Sequence, residues 1–382
     1  CPFQKNIQKK IDLKSGLGAI IKHSIGWDIC QCAGKAVPFF PNRRTEEAMN
    51  MNRQIVPGTD GDKYLPYENR QGQESVVYFT SDLSAEGLLR IFDKVGAHLT
   101  GKVGIKLHTG EKDGPNIIPR PWVKKLVDER LSSAAIVETN TYYEGDRYTT
   151  PQHRETLAVN GWTFCPVDIL DEDGIVMLPV NGGKWFSEMA MGGHLPRYDS
   201  LLVLTHFKGH TKGGFGGSCK NIGIGCADGR VGKAMIHTTP GSDDMWDISN
   251  EEFMERMTES AKAVADHFGK HIVYINVLRN MSVSCDCEGC AAEPVVTPNV
   301  GILASTDLLA VDQASVDLIY AMQEHQHADL VERMESRHGL RQLSYMKELG
   351  MGNGRYRLLD LENDDGRIWP ADAVRNVVPF QP

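Results

Sequence analysis

Short apolar segments alternate with amphipathic helical segments along most of this chain, and this alternation restricts the fold more than any other feature. Runs such as Ser75–Thr80, Leu201–Thr205 and His271–Val277 are rich in branched and aromatic residues and have strand length. Amphipathic stretches such as Ser84–Leu99 and Ser249–Phe268 begin at capping serines. Alternating strands and helices are typical of a parallel sheet that is covered on both faces. The sequence therefore predicts an α/β fold with a mainly parallel or mixed sheet and helices on both faces.

The other predicted elements continue this pattern. Further strands are predicted at residues 102–107, 134–138, 301–304 and 357–361, and further helices at 121–131, from 150 onward, and at 307–322, 328–337 and 342–349. The turn Asp171–Gly174, between two apolar segments, predicts a hairpin. Residues 1–74 show weak periodicity and many turn signals, so we predict a weakly ordered or peripheral extension there. Residues 75–382 then form the α/β domain, with room for two sub-domains.

The charge and the cysteine content of the chain exclude several classes of function. Its 382 residues have a net charge of −9, which disfavours nucleic acid as a general partner. No apolar run approaches the roughly 20 residues that a membrane helix needs. The nine cysteines are an odd number, which argues against a fully paired disulfide framework. We expect a cytoplasmic protein, and Cys1 leaves an exported, lipid-anchored form as the alternative.

The segment from residue 204 to residue 237 is the strongest candidate for a binding site. It joins three histidines, two cysteines, five cationic side chains and nine glycines, directly after a predicted strand. Glycines let backbone N–H groups surround an anion, and a helix starting near Gly217 would add its own N–H groups. The alternative is a tight chain crossing that needs glycine for steric reasons. The predicted ligands of a small anion are Lys208, Lys212, Gly213, Gly214, Gly216, Gly217, Lys220 and Asn221.

Two groups of cysteines are candidate metal ligands. Cys285, Cys287 and Cys290 follow a buried strand and could hold a metal ion or an iron–sulfur cluster, with a further ligand from elsewhere. The alternatives are a local disulfide with one free cysteine, or three inert thiols. Cys219 and Cys226 are seven residues apart and could join nearby histidines around a metal. A buried cysteine, however, often acts only as a small hydrophobic residue.

Titratable side chains at strand ends are the candidates for catalysis. Lys106, His108 and Glu111 follow one predicted strand, and His206 and His210 follow another. In parallel sheets the loops at the carboxyl ends of strands converge on ligand sites, so we expect these residues to lie on one rim. Histidine transfers protons near neutral pH, which is the role predicted for these three. A single lysine or histidine is more often a solvated or packed side chain.

Several of these motifs occur together in a known family. The segments Lys106–Glu111, His206–Lys233, Ile275–Val277, Cys285–Cys287 and Gly301–Asp307 together resemble the domain of unknown function 362 family (DUF362), whose members are described as uncharacterised iron–sulfur centre proteins. The resemblance extends from about residue 76 to residue 361 and does not include the first 74 residues.

The resemblance implies an α/β fold, a bacterial source and an iron–sulfur association, but no established reaction. Many members carry an inserted ferredoxin module in the region that matches residues 238–250, and this interval has no cysteine here. The pattern Cys-x-x-Cys-x-x-Cys occurs nowhere in the chain, so the chain resembles the form without that module.

The leading functional hypothesis is a metal- or cluster-assisted enzyme, such as an oxidoreductase, that acts on a small anionic substrate. The glycine-rich segment would hold the anion, and the cysteine loop would hold the metal. One alternative is a non-catalytic protein that binds a metal or an anionic cofactor. Another is a structural zinc or disulfide site without chemistry. The sequence identifies neither the reaction nor the oligomeric state.

Overall fold

In the computed structural model, nine strands from the described residues, 62–242 and 244–381, form one mixed sheet. Most of the predicted extension, including Cys1, lies outside the described residues. The strands are β1 (Glu74–Thr80), β2 (Val103–Lys106), β3 (Ala135–Glu138), β4 (Val167–Ile169), β7 (Ser200–His206), β10 (Ile272–Leu278), β11 (Gly301–Ser305), β12 (Arg355–Asp360) and β13 (Gly366–Ile368). Their order across the sheet is β13-β12-β1-β11-β10-β7-β2-β3-β4.

The strand directions place one set of carboxyl ends along a common edge. Strands β10, β7, β2, β3 and β4 run parallel to one another, while β11 lies antiparallel between β1 and β10. Strand β12 is parallel to β1, and β13 is antiparallel to β12. The carboxyl ends of β2, β3 and β7, at Lys106, Glu138 and His206, therefore meet at one edge. The predicted mixed α/β sheet is confirmed.

Helices cover both faces of this sheet. Along β7, Leu201 and Val203 enter one apolar core, and Leu202 and Leu204 enter the other. The helices of the described residues are α1 (Ala85–Val95), α2 (Arg120–Arg130), α3 (Thr150–Val159), α4 (Ser218–Gly225), α5 (Val231–His237), α6 (Asn250–Phe268), α7 (Leu308–Ala321), α8 (Glu324–Ser336), α9 (Arg341–Glu348) and α10 (Pro370–Ala373). Helices α1 and α2 pack in the second core, and α6 and α7 pack in the first.

The capping serines of α1 and α6 have the predicted roles. Ser84 accepts a hydrogen bond from the Gly87 N–H, and Ser249 accepts one from the Glu252 N–H, each at 3.1 Å. These bonds satisfy N–H groups that have no partner inside the helix. Local sequence chemistry therefore determines where both helices begin.

The predicted hairpin around Asp171–Gly174 is wrong. Strand β4 pairs with β3 in the main sheet, whereas β5 (Ile175–Pro179) pairs with β6 (Glu188–Gly192) in a separate two-stranded sheet. The turn between β4 and β5 is present, but the two strands on either side of it have different partners. A turn signal shows where the chain reverses and does not identify the strand that completes the pairing.

Residues 62–74 pack against the domain. The Arg70 guanidinium forms a buried ion pair with Asp317 of α7, and the Tyr67 hydroxyl donates a hydrogen bond of 2.5 Å to the Tyr356 carbonyl. The described end of the predicted extension is thus held by buried polar contacts.

After the end of β7, the segment from residue 204 to residue 237 forms two short strands and two helices, α4 and α5, at the edge where β2, β3 and β7 end. Strands β8 (Lys208–His210) and β9 (Gly214–Gly216) pair as a hairpin, and α4 follows directly. Gly209 lies so close to another loop that a Cβ atom there would overlap the Val283 carbonyl oxygen. Gly214 has a positive φ of 76°. Two of these glycines therefore serve the close chain crossing that the sequence left as the alternative.

Candidate functional site

A cavity of about 290 Å³ opens at the carboxyl ends of β2, β3 and β7. Many predicted site residues line it, although they are far apart in the sequence. The predicted residues that line the cavity are Lys106, His108, His206, Lys208, His210, Lys212, Gly216, Gly217, Lys220, Asn221 and Cys287. The structure thus brings the lysine-bearing segment and the cysteine loop to one site, as the parallel strand order requires.

Six cationic side chains line this cavity, and three of them are paired with carboxylates. Their ion pairs, with the N–O distances, are Lys106–Glu138 (2.8 Å), Arg147–Glu111 (2.7 Å) and Lys208–Asp286 (2.8 Å). Glu111 does not line the cavity. Its carboxylate accepts a hydrogen bond from the Arg147 guanidinium and so orients a cation that does. These three pairs balance their own charge and serve to build the walls.

The paired carboxylates remain ionised in spite of their burial. Burial alone would raise the pKa of Glu138, but Lys106 and Arg147 hold that pKa well below its ordinary value. Burial likewise opposes ionisation of Asp286, and His206 and Lys208 lower its pKa. Charged groups that are removed from water need such partners.

The other three lysines have no carboxylate partner among the described residues. Lys212 donates to the Met245 carbonyl at 2.5 Å, and the Lys220 Nζ lies 3.9 Å from the Cys285 sulfur. Lys233 donates to the Thr139 hydroxyl at 2.8 Å and to the Asn140 carbonyl.

Burial lowers the pKa of Lys212 and of Lys233 to about 8. Lys212 and Lys233 therefore bring positive charge to the wall that no carboxylate among the described residues pairs with.

The start of helix α4 is occupied by the protein itself. The Ser218 and Cys219 N–H groups donate to the Asp312 carboxylate at 2.7 and 2.9 Å. The Gly213 N–H donates to the His210 Nδ1 at 2.9 Å, and Gly213 does not line the cavity. These backbone N–H groups, predicted to bind an anion, thus already donate hydrogen bonds within the protein. The lysine side chains are the donors that remain for a ligand.

The hydrogen bonds of the three predicted catalytic histidines leave them little freedom to accept a proton. His108 Nδ1 accepts from the Gly110 N–H at 3.0 Å, and its Nε2 faces Arg147 at 3.5 Å. His206 faces the Asp286 carboxylate with Nδ1 at 2.9 Å and the Arg279 carbonyl with Nε2 at 2.7 Å.

His210 accepts at Nδ1, so its neutral ring carries the proton on Nε2. Burial and then Lys220 lower its pKa, which favours that neutral ring. A proton-transfer role for these three side chains remains a prediction that their contacts do not favour.

Two thiols and one imidazole form a candidate metal centre at the cavity, which His210 and Cys287 line and Cys285 does not. Donor atoms of His210, Cys285 and Cys287 all lie within 4.8 Å of one another. The hydrogen bond from Cys287, and then Lys220 and Lys208, lower the pKa of the Cys285 thiol in spite of its burial. Sulfur and imidazole donors suit zinc and other thiophilic metals. The thiols fit such an ion directly, whereas Nε2 of His210 fits it only when the proton moves to Nδ1 and the hydrogen bond from the Gly213 N–H is lost.

The other three candidate cysteines lie outside this centre. The Cys290 sulfur is 3.6 Å from the Asp113 carbonyl oxygen, and the Cys219 sulfur is 3.8 Å from the Thr258 hydroxyl. Burial raises the pKa of Cys219 and of Cys226, as expected for thiols packed in an apolar core. An iron–sulfur cluster is commonly held by four cysteine thiolates. The described residues bring only two candidate thiols, Cys285 and Cys287, into one group of donors.

Sequence reasoning missed several residues that build the site. Glu138 ends β3 at the same edge as Lys106, so its strand position could have identified it. Arg147 comes from a loop with no local motif and was not predictable. Asp286 lies between two candidate ligands, and its pairing with Lys208 appears only in the folded chain. His237, which the sequence offers only as one of the histidines that could join Cys219 and Cys226 around a metal, also lines the cavity.

The fold and the site define an α/β protein with a basic cavity at its strand ends and a pair of thiols beside it, of which Cys287 lines the cavity. The chain belongs to the family described as "Domain of unknown function (DUF362)", whose sequence profile matches residues 103–317. No curated protein matches the sequence.

Two solved structures show distant similarity to the chain. The lactate racemase apoprotein from Thermoanaerobacterium thermosaccharolyticum is 9% identical with a TM-score of 0.37, over 78% of this chain and 85% of that one. A structural-genomics protein from Thermotoga maritima is 11% identical with a TM-score of 0.31, over 52% of this chain and 51% of that one. Similarity this weak carries no functional argument.

No helix in the described part of the chain has the length and apolar character needed to cross a bilayer.

Proposed function

We propose that this protein binds a small anionic molecule in the basic cavity. The observation that supports this proposal is the set of three lysines, Lys212, Lys220 and Lys233, that face the cavity without a carboxylate partner among the described residues. Lys212 and Lys233 are buried, whereas Lys220 is half-buried and lies beside the Cys285 sulfur. A buried cation without a counter-charge is unfavourable, and a bound anion would supply the charge that Lys212 and Lys233 lack. The chain as a whole has a net charge of −9, so this concentration of lysines differs in sign from the average charge of the chain.

The dimensions of the cavity favour a small molecule over a polymer. Its volume of about 290 Å³ is at the small end of ligand pockets. Tyr142, Trp246 and Phe253 line it together with the lysines. The Lys212 ammonium lies 5.3 Å from the Trp246 ring centre and 5.5 Å from that of Phe253. Such a pocket would hold the charged end of a ligand with the lysines and would shield the rest with aromatic surface.

A thiophilic metal on Cys285 and Cys287 is the second part of the proposal. The donor set supports it, because two thiols and a neutral imidazole lie within 4.8 Å of one another. Such a metal would supply Lewis acidity or redox chemistry beside the bound anion. This chain's own residues hold and orient the anion, so the proposed activity is metal-assisted chemistry on a small anion.

Anion binding is tested by calorimetry with inorganic phosphate. We expect the wild-type protein to bind phosphate and Lys233→Met to bind it at least about tenfold more weakly, because one charged donor is lost. Lys124→Met is the matched control, since Lys124 is exposed on α2 and its ion pair is with Asp128, away from the cavity lining. Absence of phosphate binding, or equal binding by Lys233→Met and wild type, would contradict the proposal.

Metal binding is tested on protein purified without oxygen, by elemental analysis and visible absorption. We expect a thiophilic metal in the wild-type protein and its loss in the Cys285→Ser/Cys287→Ser variant. Cys165→Ser is the control, because Cys165 is a free cysteine outside the cavity lining. Iron with visible absorption would support redox chemistry, and zinc without turnover would support a structural role.

A non-catalytic anion-binding protein is the second candidate function. The observation that favours it is the His210 tautomer, since the backbone N–H of Gly213 already occupies Nδ1 and the neutral ring carries a proton on Nε2. Phosphate binding by a protein that contains no metal after anaerobic purification would support this alternative over the metal-assisted enzyme.

A further inference from the structure

His237 presents a hydrogen-bond acceptor to a cavity whose other polar groups are mostly donors. It is the last residue of α5, is 9% exposed and lines the cavity. Its Nδ1 lies 2.7 Å from the Lys233 carbonyl oxygen, four residues earlier in the helix. A carbonyl oxygen only accepts, so Nδ1 must carry the proton. The neutral ring therefore has its lone pair on Nε2, which has no hydrogen-bond partner among the described residues.

The surroundings of His237 keep the ring neutral and fix its orientation. The Tyr142 ring stacks on it with centroids 6.1 Å apart, and the Phe253 ring lies 5.1 Å away on a tilt. Burial, together with the positive charge of the nearby lysines, lowers the pKa of His237 to about 3. A neutral imidazole whose Nδ1–H is engaged offers the lone pair of Nε2, which can accept a hydrogen bond or bind a metal ion. His237 belongs to no cluster of candidate metal donors among the described residues, so the hydrogen bond is the role left to it.

The other histidines in the cavity lining do not offer a ring nitrogen with an unengaged lone pair. His206 faces acceptors with both of its nitrogens, and His210 accepts backbone bonds at Nδ1 and so carries its proton on Nε2. His108 accepts at Nδ1, and its Nε2 faces Arg147. Among the four histidines that line the cavity, His237 is thus the one whose lone pair is unengaged.

We propose that Nε2 of His237 accepts a hydrogen bond from an O–H group of the bound anion, so that the site selects anions that carry a hydroxyl or an acidic proton beside their negative charge. This inference rests on the proposed anion-binding function. The substrate class it defines includes hydrogen phosphate, singly protonated phosphate esters and small hydroxy acids.

The physical basis of this selection is the difference between donors and acceptors. Lysine ammonium groups only donate, so they bind an anion whether or not it carries a proton. An anion without an O–H would place an oxygen lone pair against the lone pair of His237. That contact leaves a buried acceptor unpaired, and we expect it to weaken binding about tenfold or more.

Hydrogen phosphate and sulfate are the probes that isolate this effect. At slightly alkaline pH both are dianions of similar size and shape, and only hydrogen phosphate carries an O–H. Calorimetry on the full chain should show hydrogen phosphate binding at least about tenfold more tightly than sulfate. His237→Phe keeps a ring between Tyr142 and Phe253 and removes the acceptor, so the preference should disappear. His267→Phe, on the exposed side of α6, is the matched control and should keep the preference.

The possible outcomes separate this inference from the function on which it rests. If the wild-type protein binds neither anion, the proposed function fails. If it binds both equally, or if His237→Phe keeps the preference, anion binding stands and the role of His237 is refuted.

Nitrogen-15 NMR of histidine-labelled wild-type protein provides a test that does not depend on how the variant folds. The His237 signals should show a protonated Nδ1 and an unprotonated Nε2, and the Nε2 signal should shift with hydrogen phosphate but not with sulfate. A proton on Nε2 in the free protein would overturn the proposal.

Discussion

Replacing Lys233 by methionine distinguishes a lysine that binds ligand from one that stabilises the fold. The Lys233 ammonium donates to the Thr139 hydroxyl and the Asn140 carbonyl and has no carboxylate partner among the described residues. Asp171 and Glu138 act on it only at longer range. Methionine has a similar length and fills the same space without the charge.

The expected change in stability follows from two opposing contributions. Burial lowers the pKa of Lys233 from 10.5 to about 8, which corresponds to about 3 kcal/mol of unfavourable charge burial at neutral pH. The two lost hydrogen bonds contribute about 1 kcal/mol each. We therefore expect the free energy of unfolding of Lys233→Met to be unchanged or about 1 kcal/mol higher than that of wild type.

Chemical denaturation with and without phosphate measures both properties. A hundredfold excess of phosphate over its dissociation constant should stabilise the wild-type protein by about 3 kcal/mol. The same excess should stabilise Lys233→Met much less. Between pH 8 and 10.5 the unfolded wild-type chain binds more protons at this lysine than the folded chain, so wild-type stability should rise with pH. The variant should lose the part of that rise that Lys233 contributes and keep the part due to Lys212, whose pKa burial also lowers to about 8.

Lys208→Met is the contrasting variant, because Lys208 does have a buried partner. Its removal leaves the Asp286 carboxylate with His206 alone, and we expect a loss of about 3–5 kcal/mol. The reasoning is refuted if Lys233→Met loses 3 kcal/mol or more and phosphate still stabilises it as it does wild type.

Three further predictions concern the charge and the geometry of the site. Phosphate affinity should fall as pH rises through about 8, because Lys233 then loses its proton, and calorimetry showing constant affinity up to pH 10 would contradict this. Glu138→Gln should lose about 3–5 kcal/mol of unfolding free energy in urea titrations, because buried Lys106 loses its counter-charge, and a loss below about 1 kcal/mol would be contrary to expectation. Gly209→Ala should lower the melting temperature markedly, since its Cβ would overlap the Val283 carbonyl, whereas Gly145→Ala, with only ordinary contacts, should not.

The site could be predicted from sequence in part, and the reason lies in the strand order. Residues that follow buried strands, such as Lys106 and His206, were expected on one rim because parallel strands end at the same edge. Glu138 follows the same rule and could have been included. Arg147 lies in a loop without periodicity, so its position depends on contacts with Glu111 that no local pattern encodes.

The roles of individual side chains were less predictable than their location. Lys208 and Lys233 look equivalent in the sequence, yet only Lys208 has a carboxylate partner, in a loop about eighty residues away. The helix start near Gly217 was correctly placed, but Asp312 fills the position expected for an external anion. Both outcomes depend on contacts between distant segments.

The sequence alone determined the alternation of strands and helices, the caps at Ser84 and Ser249, and the concentration of lysines and thiols at the strand ends. These properties depend on local periodicity and on hydrogen bonds within a few residues. The folded chain sets which charges are neutralised, which thiols meet, and which imidazole keeps an unengaged lone pair. Pairing and burial depend on groups brought together from distant segments, and spacing along the chain does not encode them.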